Sequence, residues 1–329
     1  MEILEKIKSG TDLKFEEATI MFNEMLSGAV DESLIEEILV ALAEKGEAEE
    51  EIAGSAQAML GRAIPVEHSF GTLLDVVGTG GDNSGSFNIS TAAAIVCSLF
   101  IPVAKHGNRA VSSKSGSADV LEALGVPIDL GKEEASQYLT ENNFVFLFAQ
   151  KYHPAMKSVA AVRKRLGRRT IFNLLGPLCN PARPNCQLIG VFKDDFLPRY
   201  MGAIEHLNIP NVMVVSSRDG LDEVSISDKT LCYHKKGPSL KIFEFDPKEF
   251  GIYANKEAVK GYEATVNAQM MKEVFLGENH SDLTNAVAIN AAFALTLAEV
   301  ETDLKRSFML AKEAIKSKRV YEKLVDLTS

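Results

Sequence analysis

Residues 1–66 carry apolar side chains at helical spacing in three successive stripes. The first stripe ends before Gly28, the second runs from an N-cap at Asp31 to Lys45 and Gly46, and the third stops before Gly61. This spacing is typical of amphipathic helices, so we predict a small, all-helical N-terminal region. The stripe residues are Ala18, Met21, Phe22, Met25 and Leu26, then Leu34, Ile35, Ile38, Leu39 and Leu42, and finally Ile52, Ala56, Met59 and Leu60.

From Leu73 onward, short apolar runs alternate with helical patterns, which is typical of βαβ units and a largely parallel sheet. Most of the runs carry apolar residues on both faces, as in strands that are buried on both sides of the sheet. A buried helix, NAVAINAAFALTLAEV, and an amphipathic helix after Asp303 complete the pattern. The predicted strands span residues 73–77, 102–104, 144–149, 187–192, 212–217 and 240–245.

The predicted fold class is therefore α/β, with a helical domain over residues 1–69 and a larger domain over residues 70–329 that has a central, mostly parallel sheet flanked by helices. At 329 residues, the chain fits two domains or one large α/β domain with an appendage. With 46% hydrophobic and 24% charged residues, it should fold throughout.

The net charge of −10 argues against a broad surface for nucleic acid or for an anionic membrane, because both need a positive field. The N-terminus lacks the pattern of a secretory signal, and no segment has the length of a membrane helix, so we expect a cytoplasmic protein. Four cysteines lie far apart, without the spacing of a metal site, and should be reduced thiols: Cys97, Cys179, Cys186 and Cys232.

Polar clusters follow the predicted strands, where open α/β sheets bind ligands. The first cluster is VVGTGGDNSGSFNIST, residues 76–91, in which the glycines allow close approach of backbone N–H groups to an anion. Asn88, Ser90 and Thr91 add donors at the start of a helix. This pattern predicts a phosphate cradle, although a glycine-rich turn with an N-cap is the alternative, and the terminal GK[ST] of a Walker loop is missing.

In the second cluster, Lys105, His106, Asn108 and Arg109 are expected directly after a strand, followed by the hydroxyl-rich segment of residues 112–117. Cations, hydroxyls and Gly116 suit an anionic, hydroxylated ligand. A solvated loop explains each serine singly but hardly explains two such clusters on consecutive connections.

Two later clusters carry further candidates. Arg163 lies on a helix after Pro154 and could bind a carboxylate with two hydrogen bonds, or could simply be a surface arginine. His153 is either a pocket wall or a structural histidine. Asp222 and Glu223 are adjacent oxygen donors suited to Mg²⁺, unless they form a solvated acidic turn. The sequence contains neither a nucleophile elbow nor a hydrolase carboxylate pair.

Taken together, the motifs resemble the anthranilate phosphoribosyltransferase family of tryptophan biosynthesis. The resemblance covers residues 73–227 and rests on motifs in family order: GTGGD (78–82), NIST (88–91), KHGNRAVSSKSGSADVLEALG (105–125), YHPAM with VRKRLG, FNLLGPLCNP (172–181) and LDEVSIS (221–227). It implies a helical domain beside an α/β domain, with residues 167–183 rejoining the helical part, and a homodimer formed through the helical domain.

The resemblance also implies two substrates, phosphoribosyl pyrophosphate (PRPP) and anthranilate, and Mg²⁺ as cofactor, with two ions per subunit. It implies PRPP binding by Gly78, Gly80, Gly81, Asp82, Ser86, Asn88, Ser90, Thr91, Lys105, Lys114, Ser115, Gly116 and Ser117. It implies anthranilate binding by Gly78, Asn108, Ala149, His153, Arg163, Gly176 and Pro177. The metal residues would be Ser90, Asp222 and Glu223, and the catalytic residues Lys105, Arg163 and His106.

Three residues depart from the family pattern. Cys179 replaces a usual Thr, and Lys14 and Ala48 stand where Ser or Thr often caps a helix, which puts local helix stability in doubt rather than the reaction.

The implied reaction leaves positive charge on the ribose and negative charge on the departing pyrophosphate. Because the attacking aromatic amine is uncharged at neutral pH, a strong base is not required, and His106 is either a base or a loop-positioning residue. The alternatives are a pyrimidine nucleoside phosphorylase and a catalytically silent homologue that binds nucleic acid.

Overall fold

The computed structural model describes residues 2–81, 84–110, 114–278 and 281–329. The chain begins with four helices, α1 (Glu2–Lys8), α2 (Phe15–Ser27), α3 (Glu32–Lys45) and α4 (Glu49–Gly61). Their apolar stripes face inward, so that Phe22, Leu39 and Ile52 are fully buried. The predicted helical N-terminal region is therefore confirmed.

The capping hydrogen bonds at the helix N-termini differ from those that the sequence predicted. Asp31 makes no side-chain capping hydrogen bond at α3. At the positions that lack Ser or Thr, the backbone N–H of Lys14 donates to Glu17 and that of Ala48 donates to Glu51, each at a distance of 2.8 Å. Glu17 and Glu51 thus accept a hydrogen bond from the backbone N–H at the N-terminus of α2 and of α4. These bonds offset the loss of helix stability expected where Ser or Thr is missing.

The described residues form one seven-stranded sheet in the order β3-β2-β1-β4-β5-β6-β7. The first five strands of this order are parallel, and β6 and β7 add an antiparallel edge, which confirms the mostly parallel sheet. The strands are β1 (Leu74–Gly78), β2 (Val103–Gly107), β3 (Phe144–Phe148), β4 (Cys186–Gly190), β5 (Asn211–Ser217), β6 (Thr230–Lys236) and β7 (Ser239–Phe245).

Two strand predictions were wrong. Strand β6 was missed, because its sequence, TLCYHKK, ends in polar residues that are only partly buried or exposed. Strand β2 continues past Ala104, because residues 105–107 pair with β3 as residues 103 and 104 do.

Helices cover both faces of this sheet. They are α5 (Ile89–Cys97), α6 (Ser117–Leu124), α7 (Lys132–Asn142), α8 (Ala149–Tyr152), α9 (Lys157–Leu166), α10 (Phe172–Leu175), α11 (Leu197–His206), α12 (Ala264–Phe275), α13 (Ser281–Leu297), α14 (Leu304–Lys316) and α15 (Arg319–Asp326). Short 3₁₀ turns span Pro154–Met156, Gly176–Cys179, Asp194–Phe196, Pro247–Phe250 and Lys256–Val259.

The core is divided by the sheet, because successive strand residues point to opposite faces. In β5, Met213 and Val215 pack with α5 and α13, whereas Val212 and Val214 pack with the N-terminal helices. The apolar cluster that contains Val212 and Val214 also includes residues of α9, α10 and α11. The helical region and this face of the sheet therefore share one core, while the proposed boundary between residues 69 and 70 stays a prediction.

All four cysteines are buried, and none is in a disulfide. Cys179 lies against α4, with its Sγ 3.8 Å from the Ala56 carbonyl oxygen. Across the described part of the chain, we find no helix with the combined length and apolarity needed to span a bilayer.

The strand order places a ligand site between β1 and β4. From β1 the chain winds outward to β2 and β3 and then returns to the other side at β4. In open α/β sheets, ligands bind beyond the carboxyl ends of the strands at such a reversal. Gly78 and Gly190, the last residues of β1 and β4, are register partners at this point.

Candidate active site

A cleft lies beyond the carboxyl ends of β1 and β2 and brings most of the predicted site residues together. The predicted residues on its wall are Gly78, Gly80, Gly81, Ser86, Asn88, Ser90, Lys105, His106, Asn108, Ser115, Gly116, Ser117, Asp222 and Glu223. Asp82, Ser112 and Ser113 lie outside the described residues.

Asp222 lies across the ends of β1 and β4. A Cβ on Gly78 would stand 2.4 Å from Asp222 Oδ2, and a Cβ on Gly190 would stand 1.6 Å from the Asp222 carbonyl oxygen. The backbone N–H of Gly80 donates to Asp222 Oδ2 at a distance of 2.7 Å. The two strands must therefore end in glycine for this carboxylate to reach the cleft.

Glu223 reaches the N-terminus of α5, where it accepts a hydrogen bond from the Ser90 backbone N–H at 3.1 Å. Backbone donors at a helix start favour negative charge, so the same position suits a phosphate. The two adjacent carboxylates thus reach both parts of the predicted phosphate cradle, the glycine turn through Asp222 and the start of α5 through Glu223.

Lys105 lies inside β2 and not after it, as the sequence predicted. Its side chain is 1% exposed, and Nζ donates to the Val76 carbonyl oxygen at 2.6 Å and to Ser90 Oγ at 3.3 Å. Burial lowers the pKa of Lys105, and the carboxylates of Asp75, Glu223 and Asp222 oppose that effect. The amine is thus held at the cleft wall by strand geometry.

His106 also lies inside β2. Its Nδ1 is 2.9 Å from the Gly176 carbonyl oxygen. Because a carbonyl only accepts, Nδ1 carries the proton and the buried Nε2, which has no described partner, is an acceptor. Burial lowers the pKa of His106 to about 3 and that of His153 to about 4, so both rings are neutral at pH 7.

Most of the residues predicted to bind anthranilate are not on the cleft wall, although His153 and Gly176 contact His106. The rings of His106 and His153 are 5.1 Å apart, and the Pro177 carbonyl oxygen accepts a hydrogen bond from Gln187. Gly176 begins a 3₁₀ turn, and Ala149 begins α8 at the end of β3. Of the predicted anthranilate residues, the cleft wall includes Gly78 and Asn108.

Arg163 lies in the last turn of α9, half-buried, with its Cζ 5.1 Å from the centre of the Phe172 ring. It forms no ion pair with any residue of the described ranges, and burial lowers its pKa. A guanidinium that is desolvated without an internal counter-ion suits the carboxylate of a ligand.

Two residues predicted for PRPP lie off the cleft wall. Thr91 is fully buried, and its Oγ1 donates to Ser117 Oγ at 3.1 Å. Lys114 is exposed, with Nζ 5.9 Å from the centre of the Tyr262 ring, and it lines a smaller neighbouring cavity with Lys256 and Lys260.

The cleft wall also includes polar residues that the sequence reasoning did not assign to the site, among them Thr79 and Asn173. The Asn173 Oδ1 atom accepts a hydrogen bond from the Thr170 backbone N–H at 3.0 Å. Both residues lie within quoted motifs, GTGGD and FNLLGPLCNP, which were the available signal.

The donor set is suited to a metal that also binds a ligand. Within the residues that the structure describes, no group of three His, Cys, Asp or Glu side chains could hold an ion by itself. Asp222 and Glu223 supply hard oxygens at the cradle, and Mg²⁺ commonly binds one or two carboxylates together with phosphate oxygens.

Comparison with known proteins agrees with this geometry. Residues 71–319 match the glycosyl transferase family a/b domain, and residues 1–63 match the helical bundle domain of the same family. An anthranilate phosphoribosyltransferase from Caldicellulosiruptor saccharolyticus is 42% identical over 99% of this chain and 97% of its own length.

Solved structures agree as well. The anthranilate phosphoribosyltransferase of Thermus thermophilus has a TM-score of 0.93 and 38% identity, over 100% of this chain and 98% of that one. The Saccharomyces cerevisiae enzyme in complex with PRPP and Mg has a TM-score of 0.90 and 29% identity, over 99% of this chain and 95% of that one. Neither a nucleoside phosphorylase nor a nucleic-acid-binding protein is supported by these matches. The chain belongs to the anthranilate phosphoribosyltransferase family.

Proposed function

We propose that this chain transfers the 5-phosphoribosyl group of PRPP to the amine of anthranilate, in tryptophan biosynthesis. The C1–O bond to pyrophosphate breaks, a C1–N bond forms, and the amine loses a proton. The products are N-(5-phosphoribosyl)anthranilate and pyrophosphate.

The observation that carries this proposal is the position of Asp222 and Glu223. Their carboxylates accept hydrogen bonds from the backbone N–H groups of Gly80 and Ser90, which are the donors that a phosphate cradle needs. A carboxylate in a phosphate site would repel the substrate unless a cation lay between them. The arrangement therefore favours a polyphosphate substrate that arrives with a divalent metal.

Mg²⁺ fits this donor set, and we assign Asp222, Glu223 and Ser90 as the residues that hold it, with two ions per subunit. The yeast relative was solved with PRPP and Mg. When bound, the metal supplies positive charge to the leaving pyrophosphate.

Around the pyrophosphate, the backbone N–H groups of Gly81, Ser115 and Ser117 are the proposed donors, and Lys114 adds positive charge. Lys105 adds positive charge from the strand below, and its two hydrogen bonds fix its position before the substrate binds. Preorganised charge of this kind stabilises a leaving anion without reorganisation during the reaction.

For anthranilate, Arg163 binds the carboxylate, and Asn108, Ala149, His153, Gly176 and Pro177 line the path to the cleft. His106 presents Nε2 as an acceptor, which can orient the aromatic amine. With a pKa of about 3, His106 is too weak a base to remove a proton before the C–N bond forms. The amine becomes acidic only as that bond forms, and water can then take its proton.

We also propose a cytoplasmic homodimer, with subunits joined through the helical domain of residues 1–69. Ile20 on α2 supports this surface, because it is apolar and 58% exposed. Sedimentation of the wild type and of Ile20→Lys tests this assembly, since a charge in the interface should shift a dimer towards monomer.

The activity is tested by following anthranilate fluorescence with PRPP and Mg²⁺, with and without a chelator. We expect consumption that needs all three components. Uridine with phosphate is the control substrate pair for the phosphorylase alternative. Folded protein that leaves anthranilate unconsumed would overturn the proposal.

A further inference from the structure

Asn267 lies on α12, away from the cleft wall, and is 1% exposed. Its Nδ2 donates to Asn88 Oδ1 at 2.9 Å, and its Oδ1 accepts from the Tyr262 backbone N–H at 2.8 Å. Both ends of a buried amide are thus used, and the two partners belong to different segments.

Asn88 connects the two ligand loops. Its Nδ2 donates to the Ser115 carbonyl oxygen at 3.2 Å, and Ser115 Oγ donates back to Asn88 Oδ1 at 3.3 Å. Although Asn88 is the residue before α5, its side chain makes no capping hydrogen bond there. Its amide therefore sets the spacing between the loop of residues 84–88 and the turn of residues 115–117.

The segment before α12 is attached to the same loop. The Phe87 N–H donates to the Val259 carbonyl oxygen, and the Gly261 N–H donates to the Gly85 carbonyl oxygen, each at a distance of 2.7 Å. A Cβ on Gly261 would stand 2.3 Å from the Ser86 carbonyl oxygen, so the two backbones touch. By binding the next residue, Tyr262, the side chain of Asn267 holds the end of this segment as well.

We propose that Asn267 is a positioning residue for the PRPP site, which acts by fixing the amide of Asn88 and so the spacing of the two loops. The identity of the ligand rests on the proposed function, whereas the positioning does not. Without the Asn267 side chain, the Asn88 amide loses one of the hydrogen bonds that fix its orientation and can turn away from Ser115, and the Tyr262 N–H loses its acceptor. The effect should fall mainly on PRPP, because most of the residues proposed for anthranilate lie on α8, on α9 and in the turn Gly176–Cys179.

The kinetic test is Asn267→Ala, with Thr296→Val as the matched control. Thr296 lies on α13, and its hydroxyl donates to Ser307 Oγ at 2.8 Å, so this variant also removes an internal hydrogen bond. Asn267→Ala should raise the KM for PRPP about tenfold, by the loss of one positioning hydrogen bond. The KM for anthranilate should change less than about twofold, and Thr296→Val should leave both values near those of the wild type.

A double-mutant cycle with Asn88→Ala distinguishes positioning from general destabilisation. The effect of Asn267→Ala should disappear when Asn88 is already alanine. An effect of equal size in both backgrounds, or an equal rise in KM for both substrates, would contradict the proposal.

Hydrogen exchange of the ligand-free protein tests the positioning even if the wild type does not use PRPP. Amides of residues 84–91 and 114–118 should exchange faster in Asn267→Ala and in Asn267→Asp than in the wild type. The aspartate variant keeps the acceptor for the Tyr262 N–H and replaces the alanine variant in this test if that variant does not fold. Faster exchange confined to α12 would overturn the proposal. A wild type that is inactive with PRPP, but whose variants show the expected exchange, would refute the proposed function alone.

Discussion

The carboxylate of Asp222 lies where a side chain at position 78 would have to lie. A Cβ on Gly78 would come within 2.4 Å of Asp222 Oδ2, well inside van der Waals contact. The same oxygen accepts a hydrogen bond from Gly80. The end of β1 is therefore shaped around a carboxylate whose residue is far away in the sequence.

Gly78→Ala should displace Asp222 and lower Mg²⁺-dependent turnover. The steric conflict should also cost about 1–3 kcal/mol of unfolding free energy. Activity as a function of Mg²⁺ concentration measures the first effect, and urea unfolding the second. Gly61→Ala is the control, because a Cβ at this position meets nothing within 4 Å and the activity should be unchanged. A wild-type Mg²⁺ response in Gly78→Ala would contradict the assigned role of Asp222.

Replacing Asp222 with Asn and Glu223 with Gln should lower turnover by about a hundredfold or more, because the metal would lose both carboxylate ligands. Turnover and calorimetric binding of Mg²⁺ in the presence of pyrophosphate measure the loss. Asp228→Asn removes an exposed carboxylate from the same region and should retain activity. Unchanged metal-dependent turnover in the double variant would refute the metal site.

Arg163→Ala should raise the KM for anthranilate about thirtyfold and that for PRPP much less, because a bidentate contact with a carboxylate is worth about 2 kcal/mol. Initial rates with each substrate varied in turn measure both constants. Lys164→Ala removes an exposed cation from the same helix and should change neither constant. Equal increases in both KM values would argue that Arg163 is structural.

The buried histidines should make stability depend on pH. The pKa of His153 is lowered to about 4 in the folded protein, whereas its ordinary value is 6.5. The unfolded chain therefore binds more protons between these values, and stability is present above pH 6.5 and lost as the pH falls towards 4.

The pH dependence is measured as a difference between the wild type and His153→Phe. Between pH 7 and pH 5, the wild type should lose on the order of 2 kcal/mol more unfolding free energy than the variant. The comparison is needed because the pKa of Asp75 is raised to about 6, which acts in the opposite direction. Parallel curves for the two proteins would show that His153 is not buried as a neutral ring.

Much of the fold was predictable because it depends on local pattern. The apolar stripes around Phe22 and Leu39 define amphipathic helices whatever their partners are. Continuous apolar runs such as residues 144–149 define buried strands, since both faces of the sheet are covered. Strand β6 escaped prediction because a partly exposed strand that ends in His234, Lys235 and Lys236 does not carry that pattern.

The sequence also located the loops of the site, because glycine, hydroxyl and cation clusters beyond strand ends have a local chemical meaning. It could not place Lys105 and His106 inside β2, since a polar residue within a strand is recognised only by the residues that bury it. Nor could it connect Asn88 with Asn267, which lie 179 residues apart, or Gly80 with Asp222, which lie 142 apart. Those contacts exist because the chain reverses its winding at β1 and β4 and folds its C-terminal helices back onto the first loop. Only the order of strands and the packing of distant segments produce such proximity, and neither is encoded in any local stretch of the chain.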